Sequence, residues 1–349
     1  MTLWRDFRVS IIVTALCLGL AFWWGMGTDM GPWTAVWITL VLSVMEVTLS
    51  FDNAVVNASV LKEMDEWWRK LFLTLGILIA VFGMRLVFPV VIVAVATGDG
   101  LVEVSRLAIE NPEAYSQHLH DHHVSIASFG GMFLLLVSLR FLFDHERQLH
   151  WLGKFEASLA KLGRLHAFEL AVALSVLLIM QVTLNIPAEK QLTSLVAGIL
   201  GIVLFVLVDS VDAFFELVSE ARGGGGMAKR AGLAGFLYLE VLDASFSFDG
   251  VIGAFAITRD VVIIMLGLGV GAMFVRSLTV YLVNRGTLDE YVFLEHGAHY
   301  AIGALAVIML LSVSMHVPEA ITGLIGLAFI LVSVWSSVRY RKEHEAISG

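Results

Sequence analysis

Glu46, Ser50, Asp52 and Asn53 form one group of oxygen-bearing side chains, and Glu240, Asp243, Ser247 and Asp249 form another. Both groups interrupt long apolar runs. Carboxylates at membrane depth are costly, so an intramembrane acid is by default a sign of function. The two stretches also resemble each other. Glu46-Val-Thr-Leu-Ser50-Phe51-Asp52-Asn53 aligns without gaps on Asp243-Ala-Ser-Phe-Ser247-Phe248-Asp249-Gly250. This pairing reads as the two halves of a cation site.

The donor set consists of carboxylates, hydroxyls and one amide, with no cysteine or histidine at helix depth. Oxygen-only sites suit hard cations such as Mn²⁺, Mg²⁺ or Ca²⁺ and disfavour Cu(I) or thiolate-bound zinc. Crowded carboxylates in low dielectric need a counter-charge to stay ionised. Arg85 and Arg276, the two arginines inside the apolar runs, could supply part of it, and protons the rest. The competing reading is that the acids simply pair with those arginines as packing glue. Acids outnumber arginines, which favours a site.

At about 100° per residue, Glu46, Ser50 and Asn53 share one helical seam, and Asp243, Ser247 and Gly250 share its equivalent. Asp52 and Asp249 follow their leading acids by six residues and point about 120° away in a regular helix. Either the helices break near Asn53 and Gly250, turning all the acids into one cavity, or each Asp faces a separate neighbour such as Arg85 or Arg276.

The surrounding elements must place these groups in a bilayer. Of the 349 residues, 58% are hydrophobic and only 15% charged, the composition of a polytopic membrane protein. The net charge of -9 argues against nucleic acid as a partner. Cys17 is the only cysteine and forms no intrachain disulfide. The Arg5/Arg8 start followed by an apolar run imitates a signal peptide. It ends in Phe22-Trp23-Trp24 with no small-residue cleavage site, so a retained first helix is expected.

Runs long enough to cross a ~30 Å hydrocarbon core fall at about 9–25, 33–60, 71–97, 124–143, 166–185, 192–216, 232–257, 261–283, 297–315 and 319–338. The expected fold is therefore an all-α bundle of about ten transmembrane helices. With the N-terminus inside, the outer segments hold only Arg106, Lys190 and Arg259. Apart from Arg85 and Arg276, every other member of the 22 Lys and Arg lies inside, as the positive-inside rule expects. Both termini are then cytoplasmic.

The resemblance extends past the acids. Gly76 precedes Arg85 by nine residues, and Gly267 precedes Arg276 by the same interval. Helices two and three thus correspond to seven and eight, and an odd shift inverts the second copy, giving a 5+5 inverted repeat. The expected division is 1–190 for the first repeat, with a cytoplasmic segment at 144–165, and 191–349 for the second. The Gly-rich cytoplasmic loop 219–231, containing Gly223–Gly226, is read as the linker.

Other features carry less. The patch His118-Leu-His120-Asp121-His122-His123 could collect metal or be a solvated loop. Glu295-His296-Gly297-Ala298-His299 could line a cytoplasmic mouth or be interfacial, and Asp209 and Asp212 could snorkel to water. Residues 144–165 mix bases with apolar positions, as an amphipathic surface segment does. There is no P-loop, no Ser/His/Asp spacing and no HExxH, and Ser247-Phe248-Asp249-Gly250 is not the GxGD motif of an intramembrane aspartyl protease. No enzymatic activity is expected.

The stretches Glu46-x3-Ser50-Phe51-Asp52-Asn53 and Glu240-x2-Asp243-x2-Phe246-x2-Asp249, running into Ala254-Phe255-Ala256-Ile257-Thr258-Arg259-Asp260, resemble the paired signatures of the TerC family. The closer resemblance is to its DUF475 branch, through Glu295-His296-Gly297-Ala298-His299-Tyr300-Ala301-Ile302-Gly303. It covers most of 33–315. The chain departs from the family at Gly250, where a Ser is usual. The resemblance implies an integral inner-membrane protein associated with tellurium or metal stress, with several members linked to manganese export. It implies Glu46, Asp52, Asn53, Glu240, Asp243 and Asp249 as metal residues. The resulting expectation is an exporter of a divalent cation, Mn²⁺ first, using protons as coupling ion and no resident cofactor. The alternative is a non-transporting membrane scaffold that recruits cytoplasmic stress-response proteins through its basic loops.

Overall fold

The structure, a computed structural model, describes residues 2–97, 99–165, 167–220, 227–315 and 317–348. Among them there is no strand. Seven helical stretches are long and apolar enough to cross a bilayer: Asp6–Gly25, Pro32–Leu49, His123–Leu142, Ala188–Ser210, Val261–Arg285, Leu294–Ser312 and Ile321–Glu343. Three of the expected runs are not in that set, each for a visible reason. Run 71–97 is divided among α4 (Glu66–Leu78), a π-helical stretch Ile79–Val87 and α5 (Phe88–Thr97). Run 166–185 forms the sixteen-residue helix α10 (Phe168–Thr183). Run 232–257 is inside one unbroken helix, α12 (Met227–Ile257), but carries Glu240, Asp243 and Asp249.

The chain divides into two compact units. The first comprises Met1–His122, Ala228–Gly286 and Pro318–Gly323. In it α1 (Thr2–Gly25) lies along α13 (Val261–Arg285), held by Ser10 Oγ donating to the Met273 carbonyl at 2.8 Å and sharing a 2.7 Å hydrogen bond with Ser277 Oγ. Trp24 Nε1 donates to Asp260 at 2.8 Å, and Asp260 caps α13 through the Val262 and Ile263 N–H groups.

Helix α2 (Pro32–Leu49) packs against both α1 and α13, approaching α13 closely at that helix's glycines. A Cβ on Gly267 would collide with Leu42, and one on Gly271 would collide with Glu46. Small residues are how helices approach closely where the surrounding solvent is apolar. Ser43 seals the contact by donating to the Gly267 carbonyl at 3.0 Å. The helix ends at Leu49, Ser50 leaves helical geometry at φ -107, ψ 16, and α3 (Phe51–Glu63) starts directly afterwards. Leu61 and Met64 then meet Phe72 of α4 and Phe236 and Leu239 of α12 in an apolar core.

The second unit comprises His123–Met227, Thr287–Val317 and Leu324–Gly349. Its centre is α8 (His123–Leu142), which packs against α11 (Ala188–Glu220) and α15 (Leu294–Ser312). Ser128 and Ser194 share a buried 2.8 Å hydrogen bond across the first contact. Gly131 opens the second, since a Cβ there would lie 2.9 Å from Leu310.

Candidate functional site

Four of the expected site residues belong to one buried network in the first unit. Glu46 comes from α2, Asn53 from α3, and Glu240 and Asp243 from α12; all are at most 7% exposed. Ser50 Oγ donates to Glu46 Oε1 at 3.0 Å, and the backbone at the helix break returns to the same residue, Ser50 N–H to Glu46 O at 2.9 Å. Asn53 Nδ2 donates to Asp243 Oδ1 at 2.7 Å, tying α3 to α12.

Both internal arginines enter the network. Arg85, on the π-helical stretch, forms a buried ion pair with Glu46. Arg276 donates to the Phe72 carbonyl, covers the Phe72 ring at 3.5 Å, and has Asp243 and Glu240 as charged neighbours. Gly76 permits this placement: a Cβ there would strike the Arg276 guanidinium and come within 2.8 Å of Glu240 Oε1. Gly250 does the same for Glu46, whose Oε2 lies 2.8 Å from where a Cβ would stand.

Glu240 Oε1 and Oε2, Asp243 Oδ2, Asn53 Oδ1 and Ser247 Oγ are buried and accept or donate no hydrogen bond among the described residues. Buried polar groups are nearly always paired, so these five orphaned oxygens, four in the network and one on Ser247 a turn beyond Asp243 on α12, call for an explanation. No group of three or more His, Cys, Asp or Glu side chains stands ready to hold a metal among the described residues. Arg85 engages Glu46, and Asn53 engages one oxygen of Asp243.

Asp52 is buried in the first turn of α3, where the positive end of the helix favours an anion. No hydrogen bond or ion pair joins it to either arginine among the described residues, in line with its angular offset from the Glu46 seam. The side chains of Asp249 and Asp212 are not among those described, and Gly223–Gly226 lie outside the described residues. The break in the first half falls at Ser50 rather than Asn53, and α12 passes through Gly250 without interruption. Asn57, one turn beyond Asn53 and 2% exposed with an unbonded Oδ1, extends the polar seam. Its four-residue interval from Asn53 was the available signal.

The histidines divide. His118 and His120 sit on α7 (Pro112–Asp121) and His122 caps it, with no metal-holding group of three around them among the described residues. His296 and His299, in contrast, are buried in the second unit, with His299 stacked on Phe141 at 3.8 Å. Asp209 pairs with Arg140 at 3.3 Å where both are exposed.

Seven helices long and apolar enough to cross a bilayer define a multi-pass helical membrane protein, and the buried acid–arginine network lies in its first unit. The chain belongs to the DUF475 family: that family's model, described as a protein of unknown function, matches residues 51–344. No curated protein and no solved structure matches the chain.

Proposed function

We propose that this protein carries a hard divalent cation across the membrane, with Mn²⁺ export the leading case and protons as the coupling ion. The observation that carries the proposal is the set of orphaned oxygens on Glu240, Asp243, Asn53 and Ser247. A cation would satisfy them, and their chemistry is that of Mn²⁺, Mg²⁺ or Ca²⁺ ligands. Arg85 and Arg276 balance part of the acid charge between cargo-binding events, and protons on the remaining carboxylates balance the rest. Likeness to the TerC signatures supports manganese and the inner membrane. The distribution of Lys and Arg supports ten spans with both termini inside.

A 5+5 inverted repeat accords with reciprocal packing in the first unit. Gly76 of the first half admits Glu240 of the second, whereas Gly267 and Gly271 of the second admit Leu42 and Glu46 of the first. Each half also supplies one buried arginine to the acids: Arg85 pairs with Glu46 and has Asp243 nearby, and Arg276 has Asp243 and Glu240 as neighbours.

The test is uptake of Mn²⁺, Mg²⁺, Ca²⁺ and Zn²⁺ into everted vesicles containing the protein. Wild type is compared with Glu240→Gln/Asp243→Asn and with Asp52→Asn/Asp249→Asn. Accumulation of Mn²⁺ that Glu240→Gln/Asp243→Asn abolishes is the expected result. If folded wild-type protein accumulates none of the four ions, transport is wrong and the scaffold reading takes its place.

A further inference from the structure

Helix α9 (Lys154–Leu162), with sequence KFEASLAKL, is amphipathic in an unusual sense. Its only acid, Glu156, is 2% exposed, while Phe155 is 64% exposed. At about 100° per residue its surface divides into three arcs. Glu156 and Ala160 share the buried arc. Lys154, Ser158 and Lys161 share an exposed arc, and Phe155 and Leu162 share a neighbouring exposed one. Just outside the helix, Leu152, Arg164 and Leu165 are exposed as well.

This orientation is fixed. Glu156 Oε2 accepts from the Leu152 N–H at 3.0 Å, and Glu156 Oε1 lies 3.2 Å from His296 Nε2. That nitrogen also faces the Leu149 carbonyl at 3.0 Å, so it carries the proton. Gly153 enters the helix at φ +59, a conformation open to glycine. Gly163 leaves it against the Phe143 carbonyl, where a Cβ would collide. Arg147 covers the Phe141 ring at 3.2 Å and donates to the Phe141 carbonyl, fixing the preceding loop.

The outer face therefore presents Lys154, Lys161 and Arg164, none in an ion pair among the described residues, beside Leu152, Phe155, Leu162 and Leu165. Five residues separate α9 from the apolar helix α10, on which Leu174, Leu178, Ile179 and Val182 are exposed. We propose that α9 is a docking surface for anionic lipid headgroups, its bases meeting the phosphates and Phe155 and Leu162 entering the acyl boundary. Apolar residues flanked by Lys and Arg, with no acid among them, are what an anionic leaflet retains. Burying Glu156 against His296 removes the one charge that such a leaflet would repel. This inference is independent of the transport proposal.

The test uses the full chain with Cys17→Ser and Phe155→Cys, labelled with an environment-sensitive fluorophore. It is reconstituted into vesicles of phosphatidylcholine alone or an equal mixture with phosphatidylglycerol. Quenching by shallow spin-labelled lipid is expected to be roughly twofold greater in the anionic vesicles, and high salt removes the increment. Lys154→Gln/Lys161→Gln/Arg164→Gln, confined to exposed positions, removes it as well. Equal quenching in the two lipids overturns the proposal, as does water-like emission in both.

Discussion

Glu240 in the first unit and Glu156 in the second are both buried carboxylates, yet their surroundings differ. Neither oxygen of Glu240 is hydrogen-bonded among the described residues, and its charged neighbours include Asp243 as well as Arg276. Glu156 accepts from a backbone N–H, faces His296 and anchors a helix. A buried carboxylate held through one oxygen by a backbone N–H fixes structure, whereas one with neither oxygen hydrogen-bonded retains the capacity to bind. Burial alone does not distinguish a site from a strut; the state of the individual oxygens does.

The largest expected effect lies within the first unit. Arg85→Leu leaves Glu46 buried beside an apolar chain and should lower stability by about 3–5 kcal/mol, the usual effect of removing half a buried pair. Unfolding in detergent measures it. Arg85→Leu/Glu46→Gln should recover most of the loss, and if it does not, the ion pair is not what holds this region.

Next is the strut. Glu156→Ala should cost about 2–3 kcal/mol through the lost charge-assisted hydrogen bond from the Leu152 N–H and the lost contact with His296. Burial raises the Glu156 pKa, but bonds from His296 and the Leu152 N–H override this and hold it at about 2. A depressed carboxyl stabilises above its unfolded value and loses that contribution as pH falls through the folded one. The stability advantage of wild type over Glu156→Gln should therefore be complete above 4.5 and vanish as pH approaches about 2. An advantage that stays constant over that window would remove Glu156 ionisation from the account.

Gly250→Ala should be smaller, about 1–3 kcal/mol, since the added methyl presses on Glu46 Oε2. Smallest of all is Glu240→Gln, expected to leave stability within about 0.5 kcal/mol because no hydrogen bond is lost. A large stability loss in Glu240→Gln would make Glu240 a second strut and collapse the comparison.

Part of this was legible in the chain. Glu46, Asn53, Asp243 and the two arginines stand out as polar residues in apolar runs, and helical spacing already set Asp52 apart from the Glu46 seam. Of the two readings left open, the one with a helix break put it near Asn53, three residues after Ser50, because a local φ and ψ change has no strong marker when the residue is serine. The roles of Gly76, Gly250 and Gly271 depend on which side chain arrives opposite, which sequence spacing does not carry. The Glu156–His296 pair joins positions 140 apart along the chain. Its only local trace is that Glu156 is the one acid among the bases and apolar residues of 147–165.

The break at Ser50 has no counterpart in α12, and this asymmetry has a mechanical meaning. Asn53 and Asp243 are linked by one hydrogen bond, but the first rides on a short helix behind a joint and the second on an uninterrupted rod. A bend at Ser50 would carry Asn53 with it and leave Asp243 in place, making the joint a wrist and α12 the bench it works against.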